Sequence, residues 1–298
     1  MTDLVLAVDF GGTKIAAALV GGAGDVVRSA QVATPQVDTW DAVADVVGRV
    51  LDGEQVAGAG IASAGPVDTA AGTVSPINVP SWREFPLRER VASLVPGVPV
   101  ELAGDGVCMA LGEQWRGAGQ SSRFMVGLVV STGVGGGLVL DGRPFGGRTG
   151  NAGHIGHVVV EPDGEPCTCG GRGCVETVAG GPRMVSWASA RGWRGADAIA
   201  LEASARAGDP VALAAFERAG HAVGLAIAAT AAVCDLDLAV IGGGVAQAGE
   251  LLFDPVRRAL ATHAGLSYLS TLDVRPAVLG GRAGLVGAAA LVSGPRPA

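Results

Sequence analysis

Three of the five cysteines in the chain lie within eight residues of one another, shortly after a pair of histidines. Nine residues separate His157 from Cys167, and Cys169 and Cys174 follow closely. Three thiolates and one imidazole form a donor set that is typical of tetrahedral Zn²⁺. The spacing is not that of a standard zinc finger, and free thiols are the alternative, but such clustering would rarely arise by chance. We therefore predict a zinc site at these four residues.

Two glycine-rich segments could bind phosphate. They are Asp9–Lys14 (DFGGTK) and Ser131–Gly137 (STGVGGG). Glycines let backbone N–H groups face an anion, and Thr13 and Lys14 add a hydroxyl and a cation. The spacing is not that of a Walker A loop, and ordinary glycine hairpins are the alternative. A third segment, Gly242–Gly244, follows a predicted strand, which is where α/β sheets bind ligands, although a tight turn also explains it.

Asp105 stands between a predicted strand, Val98–Ala103, and a predicted helix, Gly106–Trp115. A carboxylate at this position can cap the helix by accepting hydrogen bonds from its first backbone N–H groups. It can also accept the proton of a substrate hydroxyl, as a catalytic aspartate does in phosphoryl transfer. The two roles are compatible, and the residue type alone favours the cap.

The elements that must position these residues alternate between strands and helices. The order strand, glycine turn, strand occurs twice, which indicates a duplicated α/β fold with a cleft between its halves. The predicted strands are Leu4–Asp9, Lys14–Val20, Val26–Thr34, Val56–Ala62, Val98–Ala103, Phe124–Ser131, Asp237–Ile241 and Leu272–Leu279. The predicted helices are Thr39–Leu51, Gly106–Trp115, Leu251–His263 and Ala283–Leu291, with further helices across Val175–Cys234.

The composition argues against several classes of protein. The 298 residues are 49% apolar and 16% charged, so the chain can bury a large hydrophobic core and disorder is not expected. A net charge of -7 argues against a nucleic-acid partner. Met1–Phe10 does not read as a signal segment, and the apolar stretch Ala222–Cys234 is too short to span a bilayer. Clustered cysteines in an odd total fit a reducing compartment, so we expect a cytoplasmic protein that binds neither nucleic acid nor membrane.

These motifs together resemble the ROK family of sugar kinases and sugar-responsive repressors, and the match covers nearly the whole chain. DFGGTK is similar to the family's first phosphate loop, and STGVGGG is similar to its second. The segment GHVVVEPDGEPCTCGGRGCVET (Gly156–Thr177) is similar to its zinc signature, which is the most specific element. The resemblance implies an ATP-dependent sugar kinase that uses Mg²⁺ and carries a structural Zn²⁺.

The resemblance also implies the fold, which is an α/β, two-domain hexokinase/actin-like (ribonuclease H-like) fold with an interdomain cleft. We expect a small N-terminal α/β domain over residues 1–117, which the C-terminal helix at 283–298 joins. A large α/β domain with the zinc-binding insert is expected over residues 118–282. Members of the family are often dimers or tetramers, so we expect a homodimer or a homotetramer.

Individual roles follow from the resemblance. Asp105 is implied to be the base that accepts the proton of the sugar's 6-hydroxyl, and Asp9 to lie near Mg²⁺ and the phosphates. His157 is implied to bind zinc through one ring nitrogen and the sugar through the other, with the metal fixing its tautomer. The residues implied to contact the phosphates or nucleoside of ATP are Asp9, Gly11, Gly12, Thr13, Lys14, Thr132, Gly133, Gly243 and Gly244. The residues implied to line the sugar pocket are Gly65, Asn78, Gly104, Asp105, His154, His157 and Glu176. The implied zinc ligands are His157, Cys167, Cys169 and Cys174.

Two positions depart from the family's glucokinases. Those enzymes usually carry Asn before the catalytic Asp, where this chain has Gly104, and Glu where it has His154. In the family both side chains bond sugar hydroxyls around C3, and losing such a partner costs on the order of 1–3 kcal/mol. We therefore predict a hexose altered at C3, such as the 3-amino sugar kanosamine or a C3 epimer. An ordinary glucokinase with a changed pocket is the alternative.

A non-catalytic sugar sensor or regulator of the same family is the alternative of another class. The family's regulators carry a helix-turn-helix domain ahead of the kinase-like part. Asp9 already belongs to the phosphate loop, so we expect no such domain here. The preference for ATP over polyphosphate as donor is not legible in the sequence.

Overall fold

The computed structural model describes residues 3–77 and 79–294. The chain forms two compact units. Unit 1 comprises Met1–Arg123, Gly137–Gly153 and Leu279–Ala298, and unit 2 comprises Phe124–Gly136 and His154–Val278.

The helices and strands follow the chain in this order. The first half contains β1 (Val5–Phe10), β2 (Lys14–Val20), β3 (Val26–Ala33), α1 (Thr39–Leu51), β4 (Gly58–Ser63), β5 (Val67–Asp68), β6 (Thr73–Val74), α2 (Leu87–Leu94), β7 (Val100–Gly104) and α3 (Asp105–Arg116). The second half contains β8 (Met125–Val130), β9 (Val134–Leu140), β10 (Arg143–Phe145), α4 (Val175–Ala179), α5 (Gly181–Ser189), α6 (Ala198–Arg206), α7 (Pro210–Cys234), β11 (Leu238–Gly242), α8 (Glu250–His263), β12 (Asp273–Pro276) and α9 (Ala283–Ser293).

Two five-stranded sheets have the same topology. The first has the order β3-β2-β1-β4-β7 and the second the order β10-β9-β8-β11-β12. In the first sheet, β1 is antiparallel to β2 and parallel to β4, and β4 is parallel to β7. In the second, β11 is parallel to both β8 and β12. The repeated order confirms the duplicated α/β fold that the two strand–glycine–strand sets predict.

Burial follows the position of each strand in its sheet. The central strands β1 and β4 are buried along almost their whole length, as expected for strands covered on both faces. The edge strand β3 is largely exposed. Phe10 at the end of β1 stacks on Trp82 with ring centroids 4.4 Å apart, and Trp82 stacks on Phe85 at 3.9 Å. This aromatic stack closes the core of unit 1.

Helix α9 packs against β1, β4 and α3 within unit 1. Glycines permit this close approach, because a Cβ on Gly287 would lie 1.6 Å from the carbonyl oxygen of Cys108. A Cβ on Gly60 would lie 1.7 Å from the carbonyl oxygen of Ala288. The buried Glu113 on α3 accepts a hydrogen bond from the backbone N–H of Leu279 at 2.8 Å, which secures the chain just before α9.

The longest helix, α7, has 25 residues and begins after Asp209, whose side chain accepts hydrogen bonds from the first turn. The apolar stretch Ala222–Cys234 forms the C-terminal half of this helix, which lies within the helical region predicted across Val175–Cys234. By length and composition alone, α7 is the one helix in the described part of the chain that could cross a membrane. Its apolar window is 61% buried inside the protein, where it packs against α4, α5, α6 and α8.

Candidate functional site

The carboxyl ends of three parallel strands gather polar groups at one edge of the first sheet. Asp9 pairs with Ala62, and Ser63 pairs with Gly104, so β1, β4 and β7 end side by side. Asp9 and Asp105 therefore lie close enough for their charges to interact. Such an edge is where open α/β sheets bind their ligands.

The carboxylate of Asp9 is held in a poorly hydrated position. Its pKa is raised to about 6, chiefly by burial and also by the negative charge of Asp105, while the positive charge of Lys14 lowers it. On α9, a Cβ at Gly284 would lie 2.6 Å from Oδ2 of Asp9, so this glycine leaves the space that the carboxylate occupies. The buried carboxylate of Asp9, next to the exposed and repelling carboxylate of Asp105, suits a hard divalent cation such as Mg²⁺.

The first glycine loop (Gly11–Thr13) connects β1 to β2 and is held by local contacts. The N–H of Gly11 donates to the carbonyl oxygen of Lys14 at 2.9 Å. Thr34, just after β3, donates its hydroxyl to the carbonyl of Gly11 at 2.8 Å and its N–H to the carbonyl of Thr13 at 3.0 Å. Thr34 was not singled out from the sequence, because nothing in a strand-end threonine marks it as a loop support. Gly11, Gly12 and Lys14 are half-buried, and Thr13 is exposed.

Asp105 is the first residue of α3, and its Oδ1 accepts a hydrogen bond from the N–H of Gly106 at 2.7 Å. The helix N-terminus favours a negative charge at this place. The preceding Gly104 has ordinary extended backbone angles, and a Cβ built on it meets nothing within 4 Å. Backbone and neighbouring atoms would therefore accept a larger residue at position 104.

The second glycine loop (Ser131–Gly133) connects β8 to β9 at the corresponding edge of the second sheet. Val129 of β8 pairs with Gly242, the last residue of β11, so Thr132 and Gly133 lie on the same side as Gly243 and Gly244. Gly243 has a φ of +95°, and a Cβ there would lie 2.3 Å from the carbonyl oxygen of Val130. Only glycine fits this turn.

A cavity of about 770 Å³ opens beside the second glycine loop, within unit 2. Its volume falls in the range of pockets that hold small ligands. Its lining includes Ser131, Thr132, Gly181, Gly244, Val245 and Gln247.

Glu176 lies on α4, and its carboxylate contacts the second glycine loop. Oε2 of Glu176 accepts a hydrogen bond from the N–H of Val134 at 3.1 Å. A Cβ on Gly133 would lie 2.4 Å from the same oxygen, so the missing side chain of Gly133 makes room for the carboxylate.

The predicted zinc ligands come together in unit 2. One donor atom from each of His157, Cys167, Cys169 and Cys174 lies within 4.8 Å of the other three. Nδ1 of His157 is 3.7 Å from Sγ of Cys167, and Sγ of Cys169 is 3.8 Å from Sγ of Cys174. In a tetrahedral site with Zn–S bonds of ~2.3 Å, neighbouring sulfur atoms lie about 3.8 Å apart. The donors therefore have the spacing that Zn²⁺ requires.

The protonation of these thiols also fits a cation. The pKa of Cys174 is raised to about 12, chiefly by burial and also by the neighbouring Cys167 and Cys169. The pKa of the exposed Cys169 is lowered, chiefly because the N–H of Gly171 donates to its sulfur. Thiolates gathered in this way are stabilised when a metal ion binds among them and displaces their protons.

The two histidines near the cysteines occupy different places. His157 is half-buried and turns Nδ1 towards the cluster, whereas His154 is exposed and supplies none of the four clustered donors. Their rings are nearly parallel, with centroids 6.1 Å apart. Of the other predicted sugar-pocket residues, Gly65 is half-buried just after β4, and Asn78 lies outside the described residues.

Comparison with known proteins gives a consistent result. The family model described as "ROK family" matches residues 5–294. A glucokinase from Thermotoga maritima is 34% identical over 97% of this chain and 96% of its own length. An N-acetylmannosamine kinase from Citrobacter koseri is 35% identical over 97% of this chain and 98% of its own length.

A solved structure of the same family is also similar to this chain. A ROK family glucokinase from Streptomyces griseus, in complex with glucose and AMPPNP, superposes with a TM-score of 0.81. It is 35% identical, and the match covers 97% of this chain and 98% of that one. The fold is thus the two-domain α/β fold of the hexokinase/actin-like (ribonuclease H-like) class. On its sequence, its duplicated sheets and these comparisons, the chain belongs to the ROK family.

Proposed function

We propose that this protein is an ATP-dependent sugar kinase that phosphorylates the 6-hydroxyl of a hexose or aminohexose. The observation that carries the proposal is the pair Asp9 and Asp105, whose charges interact where β1 and β7 end. The relatives named glucokinase and N-acetylmannosamine kinase support the same class of reaction.

In the proposed reaction, Asp105 accepts the proton of the sugar hydroxyl while the hydroxyl oxygen attacks the γ-phosphorus of ATP. The bond between that phosphorus and the bridging oxygen breaks, and ADP leaves with the bonding electrons. Bound Mg²⁺ would neutralise charge on the phosphates. Asp9 is the carboxylate suited to hold it, because burial and Asp105 both disfavour an isolated negative charge there.

The donor nucleotide is proposed to use the glycine loops. Backbone N–H groups of Gly11, Gly12, Thr132 and Gly133, with Lys14, would bind the phosphates. The cavity beside Gly244 has the volume for the nucleoside, with Gly243 and Gly244 close to it. The test is direct: ADP release should depend on both ATP and sugar.

Zn²⁺ is proposed to be structural, since four protein donors fill a tetrahedral site and leave no position for water. With Nδ1 of His157 on the cluster side, Nε2 remains for a sugar hydroxyl, next to a second contact from Glu176. The metal would fix the ring orientation and shape the pocket.

The sugar is proposed to be altered at C3, as in kanosamine or a C3 epimer of glucose. Gly104 and His154 replace the Asn and Glu of family glucokinases, and the space above Gly104 is open. A kinetic panel of glucose, mannose, N-acetylated sugars, allose and kanosamine tests this. A clear preference for glucose in kcat/KM would show an ordinary glucokinase, and a preference for N-acetylmannosamine would match the Citrobacter koseri relative.

The double variant Gly104→Asn/His154→Glu sharpens the panel, because a Cβ at 104 meets no neighbouring atom. We expect it to raise kcat/KM for glucose by about thirtyfold, since two hydroxyl partners worth about 1 kcal/mol each are regained. Val233→Ala, on an exposed side chain of α7, is the matched control and should change nothing.

A non-catalytic sugar sensor of the same family is the competing function, motivated by the same Gly104 and His154. ADP release with any sugar of the panel excludes it. The proposal further places the enzyme in the cytoplasm as a homodimer or homotetramer. Light scattering on the purified protein tests the assembly.

A further inference from the structure

The carboxylate of Glu176 has a partner that its proposed contact with the sugar does not explain. Its Oε2 accepts the N–H of Val134, the first residue of β9, at 3.1 Å. Gly133 fits closely around the same oxygen, which would lie 2.4 Å from any Cβ at that position. The carboxylate thus holds the end of the second glycine loop.

The rest of the loop is held by backbone alone. The N–H of Gly181 donates to the carbonyl of Ser131 at 2.8 Å, and the N–H of Ser131 donates to the carbonyl of Gly133 at 2.9 Å. Gly156 packs under the carbonyl of Val134, where a Cβ would approach to 1.8 Å. Within the described residues, Glu176 adds a charged side-chain contact to this backbone frame.

Glu176 is itself firmly placed. It is the second residue of α4, directly after the cluster residue Cys174 and Val175. The N–H of Val175 donates to the carbonyl of Val158 at 3.0 Å, and the hydroxyl of Thr177 donates to the carbonyl of Cys174 at 2.7 Å. The carboxylate therefore projects from a fixed backbone and can impose a position on the loop.

An acidic side chain beside a phosphate-binding loop needs a physical reason, because it repels a nucleotide's phosphates. A hydrogen bond to a charged group is stronger than one between neutral groups, and by ordering the loop it can offset this repulsion. We propose that Glu176 is a positioning residue for nucleotide binding, acting through the N–H of Val134. This inference rests on the proposed kinase function and adds to the sugar contact of the same side chain.

The test measures nucleotide affinity without sugar, by calorimetry with AMPPNP and Mg²⁺ on the zinc-loaded protein. Glu176→Gln keeps an oxygen acceptor for Val134 and removes the charge, whereas Glu176→Ala removes both. We expect Glu176→Ala to bind AMPPNP about tenfold more weakly than Glu176→Gln, the loss of one hydrogen bond to the loop. Glu176→Gln should bind at least as tightly as the wild type, because a repulsive charge is gone.

The outcomes are distinct. Equal affinity of Glu176→Ala and Glu176→Gln overturns the inference and leaves the kinase function standing, whereas a wild type that binds no AMPPNP overturns both. Zinc content and melting temperature report whether the variants fold. If Glu176→Ala does not fold, Val134→Pro removes the donor instead, at the first residue of a strand where proline is tolerated. Val134→Pro should weaken AMPPNP binding to the same degree, and unchanged affinity would contradict the role of Glu176.

Discussion

The two glycine loops occupy equivalent positions in the two sheets, yet they are supported in opposite ways. The first glycine loop is closed by Lys14 and by Thr34, which belong to the same three-stranded meander. The second is held by Glu176 and Gly181, more than forty residues further along the chain. A loop supported locally forms with its own hairpin. A loop supported by distant residues depends on the structure that positions them. Here that structure includes the cysteine cluster, because Glu176 closely follows Cys174.

The largest expected effect separates the proposed proton transfer to Asp105 from the proposed binding of the nucleotide by the two glycine loops. Asp105→Asn should lower kcat on the order of 10³-fold, because the proton of the sugar hydroxyl loses its acceptor. Steady-state ADP release with the preferred sugar measures this. AMPPNP affinity without sugar, zinc content and melting temperature should match the wild type. A kcat within tenfold of the wild type would show that Asp105 only supports the first turn of α3, through its hydrogen bond from Gly106.

Removal of the metal should act on the second glycine loop and not on the first. Cys167→Ala takes away one buried donor, and we expect loss of zinc and a fall in melting temperature of roughly 10 °C, because a structural metal contributes several kcal/mol. Metal analysis and calorimetry check this. Cys234→Ser is the matched control, since Cys234 lies on α7 outside the cluster. Retained stability without zinc would contradict a structural role for the metal.

The raised pKa of Asp9, in unit 1, predicts how the free energy of unfolding depends on pH. The folded pKa of about 6 exceeds the unfolded value of 3.8, so protonated Asp9 favours the folded state. That contribution is complete below about pH 4 and is lost as the pH rises through 6, which amounts to at most about 3 kcal/mol.

Without ligands, Asp9→Asn should therefore be more stable than the wild type at pH 7.5, with the difference vanishing near pH 4. Urea unfolding across this pH range measures the difference in free energy of unfolding. Mg²⁺ with AMPPNP should reduce this difference, because the ligands favour the wild type with ionised Asp9. A pH-independent difference would show that Asp9 is not buried as described.

The smallest expected effect compares two glycines of the second hairpin. Gly133→Ala places a methyl group 2.4 Å from Oε2 of Glu176, whereas a Cβ on Gly135 meets nothing within 4 Å. We expect Gly133→Ala to raise the KM for ATP by about fivefold, since a displaced hydrogen bond costs about 1 kcal/mol. Gly135→Ala should remain within twofold of the wild type. Equal KM values would mean that the loop tolerates movement of Glu176.

The strands, the long helices and the cysteine cluster were predictable because each has a local signal. The predicted helix Thr39–Leu51 matches α1 residue for residue, since its buried valines recur at helical spacing. By contrast, α2 was not predicted: its segment LRERVASL carries three charged residues and buries only Leu87 and Val91. The two-residue strands β5 and β6 are too short to produce any alternation.

The contacts that support the site were the least predictable part. Thr34 and Glu113 act through partners that only the fold brings near: Gly11 for the first, and Leu279 for the second. Gly284 looks like any small residue of an apolar helix until Asp9 is found against it. The sequence shows which groups can do chemistry, whereas long-range packing decides which of them are held in place.

The close packing of α9 has a consequence for the order in which the protein is made. Asp9 is synthesised long before Gly284, yet Gly284 belongs to the surface against which its carboxylate rests. Gly60 and Cys108 likewise meet backbone that is translated much later, at Ala288 and Gly287. During synthesis, the face of the first sheet that α9 covers therefore stays uncovered until unit 2 has been translated. Chains released before α9 is translated would contain all four residues of the cysteine cluster, but they would lack the Gly284 surface that covers Asp9.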